Sequence, residues 1–138
     1  MQYIIMFLIV FGMAVADIIT GIIKGYCLYG KPDSQKMRIG GLHKLSELTV
    51  MLVAIGLKIG LDSLGVYYGM EDTTLTDIAG SFTAIGVFSY IVIMEIISVL
   101  ENYAAINPSA AWVQKYLKKF KPEIEALKAK EEKDDDKN

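Results

Sequence analysis

Cysteine and histidine each occur once in this 138-residue chain, at Cys27 and His43, and proline only three times. A single cysteine excludes an internal disulfide, and Cys27 reads as a small apolar residue packed near a helix end. One cysteine and one histidine do not make a zinc ligand set, so no metal is expected and His43 reads as an ordinary loop residue. The chain also lacks a phosphate-binding glycine loop and a Ser-His-Asp constellation. No catalytic residue, no cofactor and no enzymatic activity are therefore expected.

Charge is missing in three informative places. Residues 78–94 carry none at all, which leaves no polar face for a soluble amphipathic helix. Residues 62–79 contain Asp62, Glu71, Asp72 and Asp77 but no lysine or arginine. Residues 1–16 also lack any basic side chain. Ala14-Val15-Ala16 has the small-x-small form of a signal-peptide cleavage site, but the basic n-region is absent and the apolar pattern resumes at Ile18 and Ile19.

What the chain has in quantity is apolar surface: 53% of its residues are hydrophobic and the mean hydropathy is +0.37. A soluble domain of this size buries too small a share of its surface to hide that much. The bilayer core needs a helix of roughly 20 mostly apolar residues. Three stretches qualify, 3–26, 45–67 and 78–100. The expected fold is an all-α membrane protein. A three-helix transmembrane domain occupies 1–106, an amphipathic interfacial helix 107–121, and a charged, largely disordered tail 122–138.

The connections differ sharply in sign. The first, 31–44, holds Lys31, Lys36, Arg38 and Lys44 against Asp33, whereas the second is wholly acidic. Lysine and arginine favour the cytoplasmic side, so the first loop is expected inside and the second outside. Three spans then place the N-terminus outside and the C-terminus in the cytoplasm. Gly30-Lys31-Pro32-Asp33 reads as a turn ending the first helix, and Gly40-Gly41 as a second breaker just before the next span. Gly65 and Gly69, flanking Tyr67 and Tyr68, mark the outer end of the second helix. Past Asn107-Pro108, an expected N-cap and first helical position, Trp112, Val113, Tyr116, Leu117 and Phe120 recur at helical spacing. Lys115, Lys118 and Lys119 lie opposite, a pattern that suits an anionic lipid surface rather than nucleic acid.

Each span carries a carboxylate: Asp17, Glu47 and Glu95. An ionised side chain at membrane depth costs roughly 3 kcal/mol or more, so it turns toward protein or water. Asp17, Thr20, Glu47, Lys58, Glu95 and Ser98 are thus the expected pore-lining or buried polar residues. Lys58 either snorkels toward the outer interface, pairs with Asp17 or Glu95, or faces a lumen; Glu47 is within i,i+3 reach of Lys44. Small residues pair at four-residue spacing, Gly12 with Ala16, Gly21 with Gly25, Gly56 with Gly60, and Gly80 with Ala84. Such pairs let helices approach closely, within one chain or between chains.

Asp17-Ile18-Ile19-Thr20-Gly21-Ile22-Ile23-Lys24 resembles the first-helix signature of the phage-lysis and toxin-secretion holin family. Gly40-Gly41 with Lys44 is similar to that family's basic glycine-bearing loop. Glu95-Ile96-Ile97-Ser98-Val99-Leu100-Glu101-Asn102 resembles its third-helix run, and Pro108 with Trp112 and Leu117 the helix that follows. The chain departs from the pattern at Met94, where the family usually has Asn, and at Asp77, where a basic residue often stands. The resemblance implies a homo-oligomer of the bacterial cytoplasmic membrane. Its lesion collapses the proton-motive force and lets endolysin or toxin cross during host lysis, without necessary direct contact with either. The residues alone also admit a small ion channel or proton-coupled transporter, or a non-conducting adaptor acting through the tail.

Overall fold

The computed structural model describes residues 2–69 and 75–119, with Leu75 and Thr76 as backbone alone. Among these residues the chain forms three long helices, α1 (Gln2–Tyr29), α2 (Ser34–Tyr67) and α3 (Leu75–Ile106), followed by a short helix α4 over 111–119. All three long helices are long and apolar enough to cross a membrane. At 1.5 Å per residue they run to about 42, 51 and 48 Å, well beyond the roughly 30 Å hydrocarbon core.

Local chemistry sets the ends. Gly30 adopts a positive φ of 71°, the left-handed conformation that glycine reaches without steric cost, and its N–H closes α1 on the Tyr26 carbonyl at 3.1 Å. Three residues later Asp33 caps α2, its carboxylate accepting from the N–H groups of Gln35 and Lys36. Gly69, with φ of 65°, ends α2 in the same way as Gly30 ends α1.

Two sequence expectations are corrected here. α2 begins at Ser34 rather than 45 and passes unbroken through Gly40-Gly41. Each glycine costs a helix about 1 kcal/mol, but breaking there would orphan a further set of backbone groups, and the Asp33 cap already secures the start. At the other end, Asn107 and Pro108 precede the helix instead of opening it. The Ala110 N–H bonds to the Asn107 carbonyl, and α4 starts at residue 111 with Gln114 N–H on the Ala110 carbonyl. Val113, one of the apolar residues recurring at helical spacing, is fully buried, while Trp112 and Tyr116 are exposed. Trp112 stands between Tyr103 and Tyr116, with ring centroids 6.3 and 6.4 Å away. Phe120 and the tail from 122 lie outside the described residues.

α3 packs along both α1 and α2, which touch each other over a shorter stretch. Met6 and Val10 of α1, Met51 of α2 and Ile91 of α3 form the buried apolar core, with Tyr3, Phe7, Leu48, Ile55, Val87 and Phe88 around it. Exposed isoleucines, leucines and valines cover the outside of all three helices, among them Ile4, Leu8, Leu52, Val53, Ile85 and Ile93. Apolar inside and apolar outside is the surface of a helix bundle solvated by lipid.

Candidate functional site

The same inward face that supplies the apolar core turns polar toward the end where α1 meets the start of α2. Asp17 stands one turn beyond buried Ala14, Glu95 one turn beyond Ile91, and Lys44 two turns before Met51. The helical period therefore aims all three at one point. Lys44 Nζ lies 3.1 Å from Asp17 Oδ2, 2.8 Å from Glu95 Oε2 and 3.5 Å from Glu47 Oε2. Glu95 is completely buried, and Asp17 and Lys44 nearly so.

Further donors come from α3. Ser98 Oγ donates to Asp17 Oδ1 at 2.6 Å, and Asn102 Nδ2 donates to the same oxygen at 3.0 Å and to Thr20 Oγ1 at 3.2 Å. Lys24 in turn donates to Asn102 Oδ1 at 3.2 Å. Gly21 lies against this amide, where an added Cβ would stand in ordinary contact with Asn102 Nδ2 at 3.7 Å. One ammonium thus faces three carboxylates, and donors run short. Lys44 attracts Glu47 Oε2 across 3.5 Å without hydrogen-bonding to it. Glu47 Oε2 and Glu95 Oε1 are both buried with no hydrogen-bond donor among the described residues. An ionic cluster left short of donors costs more than a fully satisfied one, so it holds the helices together in a finely balanced state.

A second ionic cluster closes the opposite end of the bundle. Lys58 is almost fully buried and bonds to Asp62, one turn on in α2, and to Asp77 in the first turn of α3. Within the single chain Lys58 is thus a buried polar residue, and its partners are Asp62 and Asp77 rather than Asp17 or Glu95. Gly80 lies against the Lys58 stem, where an added Cβ would sit 2.9 Å from Cδ and 3.2 Å from Cα. Ala84, one turn on, is fully buried. Asp77, a departure from the family pattern, is the group that ties α3 to Lys58.

The other small residues divide. Gly25 backs onto Pro32 of the turn, whereas a Cβ added at Gly12, Gly56 or Gly60 would meet nothing among the described residues within 4 Å. Ala16 is half-buried. Lys115, Lys118 and Lys119 are exposed on α4.

Lys44, Asn102, Lys24 and Asp62 join the site without being expected there from the sequence. Gly40-Gly41 has the composition of a breaker, and a break there assigns Lys44 to a loop. Extending the period of Met51, Ala54 and Lys58 backward puts it on the inward face instead.

Three spanning helices joined by buried charge define a small multi-pass membrane protein whose interior is held by ion pairs. The sequence profile of the bacteriophage holin family matches residues 1–122, and the chain belongs to that family. Compared with the curated proteins and with the solved structures, it gives no significant match.

Proposed function

We propose that this chain is a holin that homo-oligomerises in the bacterial cytoplasmic membrane, N-terminus outside and C-terminus inside. Its lesion dissipates the proton-motive force and lets endolysin or toxin pass during lysis. Besides the family, one observation carries the reading: the polar side chains of all three spans are turned onto one another around Lys44. In a single bundle so arranged the charges of the spans are spent on one another, which suits harmless accumulation. Opening then requires the helices to separate, so that Asp17, Glu47 and Glu95 exchange Lys44 for water and line the lesion. Gly12, Gly56 and Gly60, uncovered in the single chain, suit close packing between copies. The exposed α4 lysines suit the inner lipid surface.

The test is inducible expression in a bacterium, following membrane potential by dye and culture density by turbidity, with and without a cytoplasmic endolysin. The expected result is a silent delay, sudden depolarisation, and lysis only when endolysin is present. Slow insertion with the potential intact would reject the lesion and leave a coupled transporter or an adaptor.

A further inference from the structure

A cleft of about 850 Å³ lies where α1 ends, α2 begins and α3 passes. Its charged lining is Asp17, Lys24, Lys31, Asp33, Lys36 and Lys44, of which Lys44 is already spent on Asp17, Glu47 and Glu95. Both carboxylates are already engaged, Asp17 by Lys44 and Asp33 by the α2 backbone. Lys24 spends one of its three donors on Asn102. Lys31 and Lys36 form no ion pair among the described residues. Lys31, Lys36 and the remaining donors of Lys24 are therefore the ammonium groups that this end of the bundle leaves without a carboxylate among the described residues.

An adjoining groove of about 530 Å³ runs between α1 and α2 and is almost wholly apolar, lined by Phe11, Val15, Leu45 and Leu48. Ile18, Met37, Gly41 and Lys44 line both spaces, so the cationic cleft and the apolar groove adjoin. Along it α1 and α2 touch each other less than either touches α3. A cationic cleft beside an apolar groove, on helices that can span a bilayer, matches one kind of molecule: a phosphodiester attached to an acyl chain.

We propose that the cleft and groove together form a site for one anionic glycerophospholipid. Its phosphate sits among Lys24, Lys31 and Lys36, and an acyl chain lies along the groove between α1 and α2. A free phosphate satisfies the lysines but leaves the groove unfilled, so the lipid is the occupant the two spaces share. The site requires only that α1, α2 and α3 span a bilayer, and it stands or falls independently of lesion formation.

The full chain, purified in detergent micelles, is titrated with phosphatidylglycerol or phosphatidylcholine, and retained lipid is counted by native mass spectrometry. One phosphatidylglycerol is expected to be retained in preference to phosphatidylcholine. Two surface-level lysines together are worth about a tenfold change or more in retention, so Lys31→Gln with Lys36→Gln should lower it by about tenfold. Lys115→Gln with Lys118→Gln and Lys119→Gln on α4 should change it less than about twofold. Equal retention of the two lipids overturns the proposal, as does loss in the α4 variant with the cleft variant unaffected. Displacement of the lipid by millimolar inorganic phosphate assigns the cleft to a soluble anion and overturns the lipid.

Discussion

Lys44 holds together charges that would otherwise drive α1, α2 and α3 apart. Removing one partner from a buried ionic cluster leaves the others uncompensated and costs about 3–5 kcal/mol. Lys44→Met should therefore strongly lower the melting temperature in micelles and prevent accumulation of intact protein in cells. Glu95→Gln acts in the opposite direction. It removes one of three like charges and supplies the amide donor that Glu47 Oε2 lacks, a gain of about 1 kcal/mol. Its expected outcome is a later onset of depolarisation with insertion unchanged. An unchanged onset in both Glu95→Gln and Asp17→Asn would remove this cluster from the timing mechanism. Asp17, Glu47 and Glu95 are legible in the sequence because each interrupts an apolar run. Their common counter-ion is not, because Gly40-Gly41 conceals the helix turn that carries it.

At the level of the elements, α3 is the one that both other helices lean on, and its contact with α2 depends on Gly80. Gly80→Ala places a methyl 3.2 Å from the Lys58 backbone, forcing the helices to shift. The expected loss is about 1–3 kcal/mol, the usual cost of overpacking. Gly12→Ala meets nothing among the described residues and should raise helix stability by about 0.5–1 kcal/mol. Thermal melting of the two variants in micelles separates them by sign. A fall in chemical cross-linking between copies with Gly12→Ala, at undiminished stability, would locate that face between subunits. The three long helices are plain from their apolar length, and Gly30-Lys31-Pro32-Asp33 ends α1 where expected. The start of α2 is hidden because a glycine pair lowers helix propensity without forbidding it, and an aspartate cap plus inward packing decides the matter. α4 begins late because the Asn107 carbonyl is taken by a turn, a tertiary detail that residue type alone does not reveal.

For the whole molecule, the native chain already contains a reporter of orientation. Cys27 is its single cysteine and is exposed at the end of α1. With the N-terminus outside, a membrane-impermeant maleimide should leave Cys27 unlabelled in spheroplasts and label it in inverted vesicles. The reverse pattern would turn the protein over and put the acidic connection in the cytoplasm. The arrangement of the ion pairs also has a consequence for biosynthesis. The ribosome delivers α1 and α2 before α3, so these two reach the translocon as a hairpin. Within that hairpin Lys44 already has Asp17 and Glu47, and Lys58 already has Asp62. Each cation therefore leaves the translocon with an anion in hand, and the last-made helix brings Glu95 and Asp77 to partners that are waiting for it.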